Sequence, residues 1–268
     1  MGVQCVDCVR EGAATQRQAR TLFGAPVRPG ARPVVTIAII AVCVVMFVLQ
    51  KVDDPAWTER WLYSPILGRE EPVRFLSAAF LHSPGSFAHI LLNMLALWFV
   101  GPFLEVQLGR LRFASMYLLS AIGGSVAVLG FAALDGGVGA WVTAVVGASG
   151  GVFGLFGATF VVMWRTHNNP RGILGLIAVN MAFSFLVSGI SWQGHVGGLV
   201  VGALVTAAYA FTPARWRTVS LWLVPVVALV LLAAVVQYSY PQAPVEVQAY
   251  WDQVLAALGH APAAPDAS

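Results

Sequence analysis

VVTIAIIAVCVVMFVL, residues 34–49, is an uncharged apolar run near the start of the chain, and six further apolar runs follow it. An α-helix rises about 1.5 Å per residue and the hydrocarbon core of a bilayer is roughly 30 Å thick, so about 17–25 apolar residues cross it. The sequence therefore predicts an all-α membrane protein, a polytopic bundle of seven transmembrane helices at residues 34–49, 88–104, 113–134, 149–164, 172–189, 195–211 and 219–236.

The composition indicates the same class. Hydrophobic residues make up 58% of the 268 residues and charged residues 10%, which leaves more apolar surface than a soluble chain can bury. We expect a basic cytoplasmic tail at 1–33, a membrane core at 34–212, an additional transmembrane helix at 213–236 and a flexible extracytoplasmic tail at 237–268. The first apolar run begins only after 33 residues, so it is expected to stay as a signal anchor.

The distribution of basic residues predicts the orientation. Cytoplasmic segments of membrane proteins are enriched in Arg and Lys, which places the N-terminus in the cytoplasm and the C-terminus outside the cell membrane. The net charge of +3 does not indicate a nucleic-acid partner. The segments predicted inside hold Arg10, Arg17, Arg20, Arg28, Arg32, Arg110, Arg112, Arg165, Arg171, Arg215 and Arg217, and those predicted outside hold Lys51, Arg60, Arg69 and Arg74.

Of the polar side chains inside the apolar spans, four are the informative ones: His89, Asn93, Ser149 and His195. Polar groups are costly in a membrane, so a function is the default hypothesis for them. The second, fourth and sixth spans run in the same direction, which puts all four residues toward the outer end of the bundle. Ser149 precedes Arg165 by 16 residues, about 24 Å of helix, so it is expected to lie below the outer surface.

The spacing of glycines predicts that Ser149 and His195 lie close together. The fourth span opens with Gly147-Ala148-Ser149-Gly150, and on the sixth span Gly198 and Gly202 share a helix face with His195. Small residues four apart allow membrane helices to pack backbone to backbone. Such packing would bring the imidazole within about 2.6–3.2 Å of the Ser149 hydroxyl, the reach that a general base needs.

Hydrogen-bond donors for a developing oxyanion are predicted near Ser149. Ser149 begins a helix, where backbone N–H groups are unpaired and the helix dipole favours negative charge. His89 and Asn93 are separated by four residues and therefore share a helix face. We expect them to supply hydrogen bonds where the charge forms.

The chain resembles the rhomboid family of intramembrane serine proteases over about residues 34–211. One matching piece is His89-x-x-x-Asn93; His82 corresponds to a further upstream His of the family. The remaining pieces are Gly147-Ala148-Ser149-Gly150, His195-Val196-Gly197-Gly198 with Gly202, and Glu105-x-x-x-Gly109.

The resemblance implies a six-helix core with one added C-terminal helix, and a Ser-His dyad in which Ser149 is the nucleophile and His195 the general base. It assigns His89, Asn93 and the Ser149 N–H to the oxyanion hole. It places Phe153 where the family often has a Tyr that stacks on the catalytic His. It implies no required cofactor, with lipids and single-pass transmembrane substrates as partners. The chain departs from the family at Val73-Arg74, where Trp-Arg is common, and in a longer 82–89 segment.

Other interpretations stay open. A Ser in a glycine-rich membrane helix is usually a packing residue, Asn93 could bond across helices, and a membrane His could line an ion path. The alternatives to a serine endopeptidase are therefore a catalytically inactive rhomboid-like protein that binds membrane clients, and a transporter. Glu105 is expected to be structural and His82 to be a loop anchor.

The first residues contain one Cys-x-x-Cys, Cys5 and Cys8. Two thiols supply half of the four ligands of a structural zinc site. The motif resembles the last knuckle of a small zinc-binding segment found ahead of some bacterial rhomboids. Cys5 and Cys8 are thus weak candidates for zinc ligands.

Overall fold

The computed structural model describes residues 5–7, 19–27, 30, 32–53 and 55–257, and these residues are mostly helical. The first long helix, α1, is Val34–Val52. Three short helices follow: α2 (Ala56–Trp61), α3 (Pro65–Gly68) and α4 (Arg74–Ser77). The remaining helices are α5 (Phe87–Leu108), α6 (Arg110–Asp135), α7 (Val138–Val142), α8 (Ser149–Arg165), α9 (Arg171–Leu186), α10 (Trp192–Phe211), α11 (Arg217–Ser239) and α12 (Val245–Ala257).

The predicted all-α membrane class is confirmed. Within the described residues, seven helices of 16 or more residues overlap the seven predicted spans. In the described part of the chain, five segments are long and apolar enough to cross a bilayer: α1, α5, α6, α10 and Ala214–Gln242, which contains α11. The helices α8 and α9 have 17 and 16 residues and are shorter. The count of seven membrane crossings therefore stays a prediction.

The helices α6, α8 and α10 form the centre of the bundle, and α8 is buried along most of its length. Glycines make this centre compact. A Cβ on Gly124 of α6 would lie 2.9 Å from the carbonyl oxygen of Gly194 in α10 and 3.4 Å from the Cα of Gly150 in α8. Around this centre lie α1, α5, α9 and α11, whose outward apolar side chains are exposed, as expected for a surface that faces lipid.

The two ends of the bundle differ in chemistry. Ser149 and His195 begin α8 and α10 at one end, which we call the serine end. The opposite end, which we call the arginine end, carries Arg110 at the start of α6 and Arg165 at the end of α8.

At the arginine end, Glu105 of α5 caps α1. Pro33 offers no side-chain cap, and the carboxyl oxygens of Glu105 accept hydrogen bonds from the backbone N–H of Val35 (3.1 Å) and Thr36 (2.9 Å) and from the Thr36 hydroxyl (2.9 Å). Glu105 is buried, while its ion-pair partner Arg110 is 3.7 Å away and exposed. A negative group at a helix N-terminus satisfies unpaired donors and favours the dipole. Glu105 therefore has the structural role expected for it.

We expect Glu105→Ala to lower the free energy of unfolding by about 3 kcal/mol, because it leaves several buried donors unpaired. Thermal unfolding of the detergent-purified protein measures the change. Arg110→Ala is the matched control, with an expected loss below about 1 kcal/mol, since the Arg110 side chain is 52% exposed. Equal losses in the two variants would contradict the capping role.

The loop between α1 and α5 is ordered around Arg74. Its guanidinium donates to the carbonyl oxygens of Glu59 (2.8 Å) and Leu62 (2.9 Å) and pairs with Glu71 (3.2 Å). The loop also meets the segment before Ser149 in an isolated antiparallel bridge between Tyr63 and Val145. Arg74 thus organises the loop without the Trp that often precedes it in the family.

The prediction of a flexible tail at residues 237–268 is wrong for residues 245–257, which form α12. Trp251 is fully buried, its indole N–H donates to the carbonyl oxygen of Ile66 (3.0 Å), and the guanidinium of Arg69 lies 4.4 Å from its ring centroid. Trp251 also packs edge to face on Trp141 of α7. Val247 of α12 is buried as well, and burial of a large aromatic side chain such as Trp251 stabilises the docked helix. Residues 258–268 lie outside the described part of the chain.

Candidate active site

Ser149 is positioned by the backbone of the segment before it. The N–H of Gly147 donates to the carbonyl oxygen of Ala78 (3.0 Å), and the Tyr63–Val145 bridge lies two residues earlier. Gly147 has φ +140°, and a Cβ there would lie 3.0 Å from His89 Nε2 and 3.5 Å from Ser149 Oγ. A residue other than glycine would therefore have a strained backbone at this φ and would crowd the His89 ring. Ser149 itself is half-buried, so its hydroxyl remains accessible.

His195 lies in the first turn of α10, after the cap in which the Ser191 hydroxyl accepts from the N–H of Gly194. It is buried, and the ring of Phe153 stacks on it with 4.1 Å between centroids and 12° between planes. Its Nδ1 forms a 2.6 Å hydrogen bond with the hydroxyl of Ser184 in α9. The imidazole is thus held on one face and at one nitrogen.

The helices that carry these residues pack backbone to backbone. A Cβ on Gly198 would overlap the carbonyl group of Gly150, and a Cβ on Gly202 would overlap that of Gly154. The predicted packing of α8 on α10 through Gly198 and Gly202 is observed. It places the N-termini of both helices side by side at the serine end.

The expected hydrogen bond between Ser149 and His195 is not formed. Among the described residues, none makes a hydrogen bond to the Ser149 hydroxyl. His89 is nonetheless near Ser149, because its Nε2 and the Ser149 Oγ both lie within 4 Å of the position that a Cβ on Gly147 would take.

The two predicted oxyanion-hole side chains differ in what they can donate. The N–H of Ser83 donates to His89 Nδ1 (3.2 Å), so the hydrogen of a neutral His89 ring is on Nε2, the nitrogen beside Gly147 and Ser149. The amide of Asn93 is buried and donates to the carbonyl oxygen of His89 (2.9 Å). A donor at His89 therefore faces Ser149, whereas the donor seen at Asn93 bonds within its own helix.

His82 lies behind His89 and anchors the loop. Its backbone N–H and carbonyl group both pair with the side-chain amide of Gln50 in α1, at 2.9 and 2.8 Å. The His82 ring is fully buried and lies 5.3 Å, edge to face, from the His89 ring. Burial, with a smaller contribution from His89, lowers the pKa of His82 from 6.5 to about 3. His82 is therefore uncharged at neutral pH.

We expect the protein to lose stability as the pH falls below about 6.5. The unfolded chain, with a histidine pKa near 6.5, binds more protons than the folded protein between this value and about 3. The stability due to neutral His82 is therefore complete above about pH 6.5, and about 1–2 kcal/mol of it is lost at pH 5. Thermal unfolding at pH 7.5, 6 and 5 measures the loss.

The control for this pH dependence is the exposed His167. His82→Gln should reduce the difference in unfolding temperature between pH 7.5 and pH 5, and His167→Gln should not. A difference that is the same in the wild type and in His82→Gln would contradict the burial of a neutral imidazole at residue 82.

Ser184 was not among the predicted site residues, yet it is the only side chain in the described part of the chain that forms a hydrogen bond with the His195 ring. Ser184 lies in the predicted fifth span, and a polar residue in an apolar helix was the available signal.

The zinc candidates Cys5 and Cys8 gain no support. Cys8 lies outside the described residues, which contain no group of three or more potential metal ligands.

Comparison with known proteins identifies the family. The model of the rhomboid domain matches residues 69–212, more than half of the chain. The chain belongs to the rhomboid family. It is therefore an integral membrane protein, in agreement with its apolar helices.

Rhomboid proteases from bacteria are among its relatives. Rhomboid protease GluP of Bacillus subtilis (strain 168) is 31% identical over 66% of this chain and 35% of its own length. Putative rhomboid protease YdcA of the same organism is 31% identical over 65% of this chain and 87% of its own length. Rhomboid protease AarA of Providencia stuartii is 26% identical over 62% and 66%. The chain thus matches about a third of GluP and most of YdcA.

Proposed function

We propose that this rhomboid-family protein is an intramembrane serine endopeptidase that cuts transmembrane helices through a dyad of Ser149 and His195. The observation that carries the proposal is the pairing of two helix starts. Glycine contacts bring the N-termini of α8 and α10 together, and Phe153 stacks on His195 beside the helix turn that holds Ser149.

The geometry supports the following steps. Ser149 Oγ attacks the carbonyl carbon of the peptide bond while His195 Nε2 takes its proton. The C–N bond then breaks as His195 returns the proton to the leaving amine, and an acyl-enzyme ester remains. Water, deprotonated by His195, then attacks the ester carbon. The bond from that carbon to Ser149 Oγ breaks as His195 returns the proton to Oγ, which releases the carboxylic acid product and restores Ser149. Each step uses only a hydroxyl, an imidazole and water.

The charge on the tetrahedral intermediate needs preorganised donors. The N–H of Ser149 lies in the first turn of α8, where N–H groups have no partner within the helix, and the Nε2–H of His89 lies beside Gly147. We propose these two donors for the oxyanion. Asn93 can join them through the second hydrogen of its amide, since one hydrogen already bonds to His89.

The depth of Ser149 indicates where a substrate is cut. The helix α8 has 17 residues, about 25 Å, which is less than the roughly 30 Å of the hydrocarbon core. With the arginine end in the cytoplasm, Ser149 lies below the outer surface of the cell membrane. A substrate helix must unwind to reach it, so we propose single-pass membrane proteins with helix-weakening small residues near that surface as substrates.

A reconstituted assay tests the proposal. The full-length protein is placed in liposomes with a single-pass reporter whose outer membrane half contains small and helix-breaking residues. The expected result is two fragments, with a mass-mapped cut in that half and slower cleavage of a leucine-rich reporter. A cut in a water-exposed domain, or equal cleavage of both reporters, would contradict the proposal.

A further inference from the structure

The contact between α9 and the His195 ring is unusual for its helix. Of the sixteen residues of α9, only Ile173 and Ser184 are buried, and most of the helix is exposed. Ser184 is nevertheless 3% exposed, and its hydroxyl lies 2.6 Å from His195 Nδ1. A helix that is otherwise sparsely packed thus directs one of its two buried side chains at the candidate base.

A second hydrogen bond of Ser184 determines which group is the donor in its hydrogen bond with His195. The Ser184 hydroxyl lies 2.7 Å from the carbonyl oxygen of Asn180, one turn earlier in α9, and donates to it. A hydroxyl has one hydrogen and two lone pairs, and a carbonyl oxygen can only accept. With its hydrogen used by Asn180, Ser184 can only accept from the imidazole. His195 must therefore carry a hydrogen on Nδ1.

A hydrogen on Nδ1 determines the state of the other ring nitrogen of His195. A neutral imidazole has one N–H and one bare nitrogen, and the hydrogen bond made at one nitrogen fixes the state of the other. With the hydrogen on Nδ1, the lone pair is on Nε2, the nitrogen that takes the Ser149 proton. Phe153 covers one face of the ring and offers it no hydrogen-bond partner.

We infer that Ser184 is a positioning residue that holds His195 in the tautomer with its hydrogen on Nδ1, so that Nε2 is free to act as the base. The role rests on the proposed function of His195 as general base. It gives the dyad an orienting hydroxyl on α9, at the nitrogen opposite the one that reacts.

The test combines spectroscopy with kinetics on the full-length protein. In protein labelled with ¹⁵N-histidine, NMR shows which nitrogen of neutral His195 is protonated, and His195→Gln identifies the signal. The variants are Ser184→Ala, Ser184→Thr, which keeps the hydroxyl, and Ser239→Ala. Ser239 is a matched control because it is also buried and also donates to a carbonyl oxygen one turn earlier, that of Val235.

We expect wild type and Ser184→Thr to show the Nδ1–H tautomer, and Ser184→Ala to show a mixture with Nε2–H. Cleavage by Ser184→Ala should show a kcat lower by about fivefold to tenfold, the ratio set by one hydrogen bond of ordinary strength, with little change in KM. Ser184→Thr should recover most of the kcat, and Ser239→Ala should match the wild type in kcat and tautomer.

Two results would overturn the inference: the same His195 tautomer in wild type and Ser184→Ala, or a loss of kcat in Ser239→Ala as large as in Ser184→Ala. The NMR measurement requires no catalysis, so it decides the role of Ser184 separately from the protease proposal. Undiminished cleavage by Ser149→Ala would reject the protease proposal and leave the tautomer result standing.

Discussion

Replacement of Ser149 by alanine is expected to reduce reporter cleavage by about 10⁴-fold or more. In a serine protease mechanism the nucleophile and the base act as one unit, and removal of either leaves only the rate that binding and the oxyanion donors provide. Ser149 is half-buried at the start of α8, so loss of its hydroxyl should disturb the fold little. Single-turnover cleavage in liposomes, with equal amounts of folded protein, measures the effect.

His195 is the second member of the proposed catalytic unit. His195→Ala should lose as much activity as Ser149→Ala. The double variant should lose no more than either single variant, because residues that act in the same step have effects that do not add. Ser239→Ala, a buried serine in α11, controls for removal of a membrane hydroxyl. Losses that multiply in the double variant would show that the two residues act independently.

Gly198→Ala is expected to reduce cleavage on the order of 100-fold and to lower the thermal stability. Its new Cβ would overlap the carbonyl group of Gly150, and this backbone atom can move only if α10 moves away from α8. A displacement of about 1 Å between reacting groups costs on the order of 10² in rate. Because His195 precedes Gly198 by one turn in α10, the imidazole must move with the helix.

Gly175→Ala is the control for this second variant. Gly175 lies in α9, and a Cβ there would have no neighbour within 4 Å. Alanine is the better helix former at both positions by about 1 kcal/mol, so the difference between the variants reports on packing alone. Wild-type activity in Gly198→Ala would show that the close approach of the two backbones is not needed.

The placement of Ser149 and His195 at one end of the bundle could be predicted because regular spacing determined it. Helical periodicity, alternating span direction and glycines on one face act over a few residues, and they bring both helix starts to one level. The family resemblance added Phe153, and the structure stacks it on His195. The catalytic roles of these residues stay predictions until the variants are measured.

Other features depend on contacts that no local pattern contains. Ser184 meets His195 only because α9, with few buried residues, docks with one particular rotation. The order of α12 depends on Trp251 reaching Ile66, which is 185 residues earlier in the chain. The composition of the tail, rich in Ala and Pro, favours flexibility, whereas Trp251 and Val247 of α12 are buried by contacts that the composition does not show.

The most direct measurement of the central claim is the mass of the protein after treatment with a fluorophosphonate, followed by peptide mapping. The probe reacts with a serine hydroxyl only where a base activates it. The account predicts a single adduct on Ser149 in the wild type and none in His195→Ala. An adduct on another residue, no adduct on Ser149, or an equal adduct on Ser149 without His195 would contradict it.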